Sequence, residues 1–515
     1  SAGSGERAFM YTRQHIFSLL VGAWIFLGLV ACSEGRHEEG RADQADSGSL
    51  EAPSFVEPQS GPMSGYFHVR LQVNSLGLAA NEVEEAWFGS QRAIDLDANN
   101  GDELIVRVQG HPTPGPVDVS LIVNGESYLV EDAFTFTPPI DPVFEKVVAI
   151  GASLTMGVQR GTPTNHGAFM SPGAQLARQM GAYFPLPIFS FELFPQLEIE
   201  SIGPPPECFV PGITQLATSG TADTIPKLTD PQTGKIDFAL ARADAEMEVH
   251  NLAVGGTNLH DLLERARLTD VPVNFMSHLV YQPYGELFER IEETQLERVE
   301  AMKPTFILST DLYGNDLIAP FVNDDYIDLE RATPLEDLER DLELVVARLA
   351  ATGAYVFLAN LPSPNLLPAA AEKRRAMLAQ APLEEREELA HKIDADIGEI
   401  LFRTEACNAA LAREADRYEK VFVVDLAVAT EGLAKVGLKL GGDRLSVEKF
   451  GGLLGLDGVH FTDTGYALIA TLFLNEINKQ LGVDIPYLDF EAVLEADVES
   501  PLKLLEGGLD PSLCD

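Results

Sequence analysis

Residues 146–155 have the sequence KVVAIGASLT, an apolar run that ends in a glycine-containing turn. A continuous rather than alternating apolar run predicts a strand that is covered on both faces, as in a parallel sheet. Gly151 and Ser153 then predict a tight turn into a helix. The serine would lie at the carboxyl end of the strand, which is where ligands bind in open α/β sheets.

The same alternation of strand and helix continues toward the C-terminus. Four more apolar runs predict strands, at residues 248–254, 305–308, 355–360 and 421–426. Apolar residues at three-to-four spacing predict amphipathic helices, at residues 287–302, 335–350 and about 383–418. Strands that alternate with helices indicate a parallel sheet with right-handed crossovers, and therefore an α/β fold with helices on both faces of the sheet.

The preceding segment, residues 54–138, has a different pattern. Short β-branched runs are separated by Pro and Gly, and Asn124-Gly125 is a strong signal for a hairpin turn. These features predict a small all-β sandwich. Pro58–Pro62, Phe88-Gly89, residues 114–119 and Phe134–Phe136 together resemble an IPT/TIG-type immunoglobulin-like domain. Such a domain could serve as a spacer or as a module that binds carbohydrate or protein.

The N-terminus has the features of a targeting signal. Arg7 and Arg13 precede an apolar run, residues 16–30, which ends in Leu29-Val30-Ala31-Cys32. This ending resembles the lipobox of bacterial lipoproteins, in which the cysteine is lipidated. Residues 1–32 are therefore interpreted as a lipoprotein signal peptide, with an uncleaved membrane anchor as the alternative. The resemblance implies attachment to the bacterial cell envelope, at the outer membrane, through a lipid on Cys32.

The remaining segments are polar and acidic. Residues 33–53 lack apolar periodicity and predict a flexible acidic linker, whereas residues 482–515 predict an acidic tail that wraps the surface. The chain has 36 Lys and Arg against 79 Asp and Glu, a net charge of −43. Such a surface repels phosphate backbones, which argues against a nucleic-acid partner. The charge fits either an ordinary soluble surface or adaptation to a saline habitat.

The four cysteines do not form a metal motif. None of them belongs to a CxxC pair, so a structural zinc site is not predicted. With Cys32 lipidated, one disulfide at most could form, and the sequence leaves open the pairing among Cys208, Cys407 and Cys514.

Three further motifs carry groups that are suited to acyl-transfer chemistry. Gly255-Gly256 follows the second predicted strand, and a glycine there lets a backbone N–H approach a reacting carbonyl. Asn315 follows the third strand and offers an amide donor. Asp457 and His460 precede a C-terminal helix. Histidine is the natural base to take a serine proton, and a carboxylate three residues earlier could orient its ring.

These motifs, in this order, resemble those of the SGNH or GDSL hydrolases over about residues 143–481. The stretch from Asp457 to Tyr466, DGVHFTDTGY, is the most specific piece of the resemblance. The family fold is a flavodoxin-like three-layer α/β/α sandwich, which agrees with the strand and helix pattern. We therefore assign residues 142–481 to a hydrolase domain, with an insertion at about residues 156–246.

The resemblance also implies a role for each motif. Ser153 is the nucleophile and the first oxyanion donor, and Gly256 and Asn315 are the other two donors. His460 is the base and Asp457 orients it. No metal or organic cofactor is implied. The chain departs from the family at two positions, since Ala152 stands where an Asp is usual and Tyr313 stands where a Gly is usual.

Two functional hypotheses follow from these residues. The first is a serine esterase or lipase whose substrate is a lipid, a short-chain ester or an acetylated glycan. The second is a catalytically weakened surface lipoprotein that keeps the fold and binds a ligand, which Ala152 and Tyr313 suggest. Phe189, Phe191 and Phe194 lie in the predicted insertion. The insertion is interpreted as an apolar cover over the acyl pocket or as a packed structural element.

Overall fold

The structure, a computed structural model, describes residues 55–99, 103–191, 226–264, 271–283, 291–322, 327 and 329–506. Several sequence predictions fall outside these ranges, namely those for the signal peptide with Cys32, the linker 33–53, Phe194, Cys208 and Cys514. In the described part of the chain, every helix is too short or too polar to cross a lipid bilayer. Cys407 is a buried free thiol.

Two sheets form the first layered unit, and this confirms the predicted β-sandwich. In the described part of this unit the strands are β1 Val56–Glu57, β2 Ser60–Pro62, β3 Phe67–Leu71, β4 Val83–Phe88, β5 Gln91–Arg92, β6 Ile94–Asn99, β7 Glu103–Val108, β8 Gly115–Val123 and β9 Glu126–Thr137. One sheet has the order β1-β3-β7-β6 and the other has the order β2-β9-β8-β4-β5.

Alternating burial explains how the two sheets pack. In β7 every second residue is buried, so one face of the strand points into the core and the other toward solvent. Phe88 and Phe136 each meet Phe134 edge to face, with centroids 5.3 Å and 5.0 Å from it. The predicted hairpin turn joins β8 to β9, where Asn124 has a φ of 50° and Gly125 a φ of 77°.

A four-stranded parallel sheet forms the centre of the second unit. Its strands, in spatial order, are β10 Val147–Ala149, β11 Phe306–Ser309, β12 Tyr355–Ala359 and β13 Val421–Val424. A two-stranded antiparallel ribbon, β14 Leu438–Leu440 and β15 Asp443–Leu445, follows later in the chain. All four residues of β11 are buried, as the continuous apolar run predicted.

Helices cover both faces of this sheet. They are α1 Ser153–Met156, α2 Asn165–Met170, α3 Pro172–Met180, α4 Val271–Val280, α5 Gln295–Met302, α6 Gly314–Val322, α7 Leu335–Ala351, α8 Pro368–Gln380, α9 Arg386–Ala415, α10 Leu426–Val436, α11 Asp463–Leu481, α12 Phe490–Ala496 and α13 Pro501–Glu506.

Alternate residues of each central strand enter different cores. Ile307 of β11 packs in the core that α5, α7 and α9 cover, whereas Phe306 and Leu308 pack in the core that α3, α10 and α11 cover. The sheet is therefore the middle of three layers, which confirms the predicted α/β/α architecture.

The second predicted strand, residues 248–254, is not a regular strand, and that prediction was wrong in detail. Ala149 N–H donates to the His250 carbonyl, and Leu252 N–H donates back to the Ala149 carbonyl, so only Asn251 forms a bridge with β10. The next rung would need the Gly151 N–H, which instead donates to Gln295 Oε1 at 2.9 Å. The Val254 N–H still donates to the Gly151 carbonyl at 3.1 Å, so the α5 side chain replaces one of the two hydrogen bonds of the next bridge and leaves the other.

The predicted helix boundaries agree with the structure except at one helix. Helices α7 and α9 occupy the predicted stretches. The helix predicted over 287–302 begins only at Gln295, because Thr294 and Glu297 form a reciprocal capping box there. Residues 291–293 are not helical, and residues 284–290 lie outside the described ranges.

Two segments contribute more to the core than the sequence predicted. The excursion between the first and second predicted strands contains α2 and α3, and its Leu186, Ile188 and Phe189 are buried. These described parts match the packed alternative rather than a loose cover. The acidic tail also contributes to the core, since Ile485 and Phe490 are buried in the same core as α11.

The β-sandwich contacts the α/β unit through Tyr66 and Arg107. Leu186 N–H donates to the Tyr66 hydroxyl oxygen at 2.8 Å, and both residues are buried. The Tyr66 ring lies 5.3 Å from the Phe169 ring of α2, and the Arg107 guanidinium lies 4.3 Å from the same ring on a cation–π contact. One residue of the sandwich thus belongs to the core of the other unit.

We expect Tyr66→Phe to destabilise the α/β unit although residue 66 lies in the sandwich. The substitution keeps the ring but leaves the buried Leu186 N–H without an acceptor, which costs about 1–3 kcal/mol. Urea unfolding of the full chain measures this difference. Tyr128→Phe, at an exposed position of the sandwich, is the matched control and should change the stability by less than about 0.5 kcal/mol. Equal stability of the two variants would contradict the prediction.

Candidate active site

The loop before α11 holds a histidine against a carboxylate. His460 Nδ1 lies 2.7 Å from Asp457 Oδ2, and the backbone N–H groups of Val459 and His460 donate to Asp457 Oδ1. Because a carboxylate only accepts, this contact assigns the proton to Nδ1 and leaves Nε2 as the basic nitrogen. Both side chains are almost fully buried.

Local geometry explains why these two residues meet. Gly458 has a φ of 67°, and a Cβ at this position would lie 2.9 Å from the Ala369 nitrogen. Glycine is therefore required for the chain to turn between Asp457 and His460 while it lies against α8. Thr462 then caps α11 by accepting from the Gly465 N–H, so the loop is held at its helical end as well.

Asp457 is ionised in this environment. Burial by itself raises the pKa of Asp457, but the charge of His460 and the hydrogen bonds from its ring and from two backbone N–H groups outweigh burial and lower the pKa below the ordinary value. The carboxylate is thus negatively charged at neutral pH, and it can stabilise an imidazolium.

The turn after β10 presents Ser153. Gly151 has a φ of 133°, and a Cβ there would lie 2.7 Å from Asp311 Oδ1. The chain then enters α1 with Ser153 as its first helical residue, partly exposed although its neighbours Ala152 and Leu154 are buried. Among the described residues none accepts a hydrogen bond from the Ser153 N–H, so this donor is available to a ligand.

The two other predicted oxyanion donors lie beside each other. Gly256 has a φ of 88° and is exposed, and a Cβ at its neighbour Gly255 would lie 4.0 Å from the Ser153 Cβ. Asn315 Nδ2 donates to the Thr257 carbonyl at 2.7 Å. A carboxamide nitrogen carries two N–H donors, so this bond orients Asn315 and leaves the second donor free for a ligand.

Buried hydrogen bonds tie the serine segment to the histidine segment. The Tyr466 hydroxyl of α11 donates to the Val158 carbonyl at 2.6 Å, and Gln159 Nε2 donates to Asp463 Oδ1 at 2.8 Å. The structure thus brings the serine turn and the histidine loop to one end of the sheet. No hydrogen bond joins the Ser153 hydroxyl to the His460 ring in the described chain. Such bonds often tighten only when substrate is bound.

Two residues of the site were missed by the sequence analysis. Asp311, two residues after β11, accepts hydrogen bonds from the serine turn, and Gln295 of α5 binds both the N–H and the carbonyl of Gly151. A charged residue shortly after a buried strand was the signal available for Asp311. Gln295 offered none, because a glutamine on a helix is ordinary.

The structure also places the two residues that depart from the family pattern. Tyr313, the residue before α6, is buried in the core and donates its hydroxyl proton to Asn408 Oδ1 at 2.6 Å. Its side chain therefore lies inside the protein fold and does not stand over the oxyanion donors. Ala152 is buried as well and caps α1 without any side-chain hydrogen bond.

Other histidines are held in separate contacts. His166 Nε2 lies 2.9 Å from Asp463 Oδ2, and His260 Nδ1 lies 2.9 Å from Asp341 Oδ2. His250 and His278 are buried, as core histidines are. Within the described ranges, no three His, Cys, Asp or Glu side chains are grouped so that they could hold a metal ion.

Comparison with known sequences identifies the family. Residues 147–473, more than half of the chain, match the family described as GDSL-like Lipase/Acylhydrolase. The chain therefore belongs to this family and is a hydrolase that acts on esters. The curated proteins contain no match to the chain.

Solved structures give more distant similarities. The psychrotrophic esterase EstA from Pseudoalteromonas sp., in a structure inhibited by monoethylphosphonate, is 13% identical, with 45% of this chain and 78% of EstA covered and a TM-score of 0.23. LAE5, an α/β hydrolase enzyme from the metagenome of Lake Arreo, Spain, is 14% identical, with 64% of this chain and 93% of LAE5 covered and a TM-score of 0.26. At these TM-scores, neither similarity supports a statement about activity.

We expect Asp457→Asn to lower kcat by about 10⁴-fold, because an amide at this position favours the wrong histidine tautomer and cannot stabilise an imidazolium. Initial rates on a chromogenic ester measure the loss. Asp489→Asn is the control, since Asp489 caps the exposed end of α12 and Asn caps equally well. A kcat within about tenfold of the parent enzyme would contradict the assigned role of Asp457.

The same substitution should also change the response of stability to acid. The pKa of Asp457 is lower in the folded protein than its ordinary value of 3.8. Its pairing with His460 therefore contributes stability that is present above about pH 4 and lost as the pH falls further. Asp457→Asn should show a shallower loss of stability below this pH, which urea titrations at several pH values would measure.

Proposed function

We propose that the protein is a serine esterase or lipase that cleaves carboxylic esters through an acyl-enzyme on Ser153. The observation that carries the proposal is the 2.7 Å contact between His460 Nδ1 and Asp457 Oδ2, which leaves Nε2 free to act as a base. The helix that follows this loop is hydrogen-bonded to the segment after Ser153, which supports the pairing of the two residues. A carboxylate-backed imidazole beside a serine on a strand-to-helix turn is the arrangement that acyl transfer needs.

In the first step the Ser153 oxygen attacks the ester carbonyl carbon. His460 Nε2 takes the hydroxyl proton as the new C–O bond forms, and Asp457 stabilises the resulting imidazolium. The carbonyl oxygen then carries a negative charge. Three donors are available for it, namely the Ser153 and Gly256 backbone N–H groups and the second N–H of Asn315. One such donor typically contributes about 3–4 kcal/mol to transition-state stabilisation.

The tetrahedral intermediate then collapses. The bond to the alkoxide breaks, and the imidazolium returns its proton to the leaving oxygen, so that an alcohol departs and the acyl group stays on Ser153. A water molecule attacks this acyl-enzyme with His460 again as the base. The carboxylic acid leaves, and the serine hydroxyl is restored.

The proposed substrates are lipid esters, short-chain esters and acetylated glycans. The partial exposure of Ser153 and the exposure of Gly256 allow an ester to reach the site from solvent. Initial rates on esters of graded chain length, and on an acetylated glycan, would distinguish these substrate classes.

A second candidate function is a surface protein that keeps the fold, is weakly catalytic and binds a ligand. Ala152 favours this candidate, as does the absence of a hydrogen bond between the Ser153 hydroxyl and the His460 ring in the described chain. The burial of Tyr313 removes one reason for it, because that side chain does not obstruct the donors.

Labelling with a fluorophosphonate tests the proposal against this second candidate. We expect the folded protein to be labelled at Ser153, and Ser153→Ala to lose both the label and ester hydrolysis. Ser127→Ala, at an exposed serine of the sandwich, should keep both. Acid-denatured protein should not react, since the reagent requires an activated serine. A folded protein that is not labelled would favour the binding function.

We further propose that the mature chain is attached to the outer membrane of a bacterial envelope by a lipid on Cys32, with residues 33–53 as a flexible linker. The sandwich, which resembles an IPT/TIG-type domain, would then separate the membrane from the hydrolase, or bind carbohydrate or protein. The lipobox residues Leu29 to Cys32 support this proposal.

Expression of the full chain in a bacterial host tests the anchor. We expect the parent protein to partition into Triton X-114 and Cys32→Ser to remain in the aqueous phase, because the serine cannot take the thioether-linked lipid. Cys407→Ser, at a buried cysteine, is the control for the loss of a thiol. Equal partitioning of the Cys32→Ser variant and the parent would argue against lipidation.

A further inference from the structure

The turn that carries Ser153 is held by one buried carboxylate from the segment that follows β11. Asp311 Oδ1 accepts from the Ala152 N–H at 3.0 Å and from the Thr155 N–H at 3.3 Å, and Asp311 Oδ2 accepts from the Leu154 N–H at 2.7 Å. The Thr155 hydroxyl donates to the same carboxylate at 2.6 Å. Asp311 therefore accepts from each backbone N–H from residue 152 to residue 155 except that of Ser153.

Asp311 acts as an N-cap for α1, although it lies far from α1 in the sequence. The side chain of an N-cap residue normally accepts from the second and third N–H groups of its helix. In α1 these are the N–H groups of Leu154 and Thr155, and the N-cap residue is Ala152, which has no acceptor. Asp311 binds the two N–H groups that an aspartate at position 152 would bind.

We propose that Asp311 is a positioning residue that replaces the aspartate usual at position 152 and holds the serine turn in its reactive geometry. The proposal rests on Ser153 being the nucleophile, and it gives the reason that the chain can tolerate Ala152. The carboxylate of Asp311 comes from the segment after β11 and accepts from Leu154 and Thr155, the two N–H groups that a side chain at position 152 would bind.

The hydrogen bonds of Asp311 also leave one backbone N–H of the turn, that of Ser153, without a bond to this carboxylate. Three N–H groups around the nucleophile are bound, so the turn cannot rotate without breaking several buried hydrogen bonds. The Ser153 N–H is left without an acceptor among the described residues and can donate to an oxyanion. Loss of the carboxylate would leave buried N–H groups unpaired, and the turn would move to satisfy them.

The Asp311 carboxylate is fully buried, and hydrogen bonds from the serine turn compensate for part of the cost of its burial. Full burial raises the pKa of Asp311 above its ordinary value, whereas the hydrogen bonds from Thr155, Ala152 and Leu154 lower it. Thr155 Oγ1 accepts from the Thr310 N–H at 3.0 Å and lies 2.7 Å from the Thr310 hydroxyl oxygen, so its own proton is directed to the carboxylate.

A composition-conserving swap tests the inference. The set comprises Asp311→Ala, Ala152→Asp and the double variant with both changes. We expect Asp311→Ala to lower kcat by about 100-fold with little change in KM, since a small misplacement of a reacting group costs this much. Ala152→Asp places two carboxylates together and should also lower kcat. The double variant has one carboxylate again, in the capping position, and should recover at least about tenfold over Asp311→Ala.

Rates are expressed per active site titrated with a fluorophosphonate, so that loss of folded protein is not counted as loss of kcat. Asp311→Asn keeps the volume of the side chain and is the second variant in case Asp311→Ala folds poorly, and it should also lose kcat. Asp141→Ala is the control, because Asp141 accepts from the Val143 N–H at the opposite end of β10. It loses a cap but should keep its kcat per site.

Amide hydrogen exchange supplies a readout that does not depend on the chemistry. Exchange at Leu154 and Thr155 should accelerate in Asp311→Ala and return toward the parent rate in the double variant. An Asp311→Ala enzyme whose kcat per site stays within about threefold of the parent, or a double variant no better than Asp311→Ala, would overturn the inference. If the parent protein takes no label, the proposed function fails, and the exchange rates alone decide whether Asp311 caps the turn.

Discussion

The parallel hydrogen bonds between β10 and β11 are the constraint on which the site depends. They place Ala149 opposite Leu308, so the chain leaves both strands at the same edge of the sheet. Ser153 lies four residues beyond the first of these positions, and Asp311 lies three residues beyond the second. Because the strands are parallel and in register, the serine turn and the carboxylate that binds it must be neighbours.

Several features of the site follow from the need to pair buried backbone N–H groups with hydrogen-bond acceptors. A buried turn cannot leave its donors unpaired without a large penalty. Asp311 and Gln295 bind the donors of the turn around Ser153, and Asp457 binds those of Val459 and His460. The same requirement interrupts the pairing beside β10, since the Gly151 N–H donates to Gln295 instead of to the neighbouring segment. The hydrogen bonds that stabilise these buried turns are thus the same ones that position the proposed catalytic side chains.

The sequence predicted the parts of the site whose members are close together in the chain. Asp457 and His460 are three residues apart, and the glycine between them makes their contact a local matter. Asp311 lies 159 residues from Ala152, and Gln295 lies 144 residues from Gly151. The sequence pattern of a single segment does not predict such a contact, because the contact depends on which strands are neighbours in the sheet. For the same reason, the sequence by itself could not show that another carboxylate binds the turn that Ala152 begins, and Ala152 suggested a catalytically weakened protein.

The amino-acid sequence by itself determined the class of fold, since the periods of its apolar residues fix which segments become strands and helices. It also determined the chemical types in the site, because hydroxyl, imidazole, carboxylate and amide are properties of single residues. Only the tertiary structure decided which distant side chain holds the serine turn, where the pairing beside β10 is interrupted and that Tyr313 lies in the core. These outcomes depend on the register between strands and on competition for buried donors, which exist only once the layers have packed.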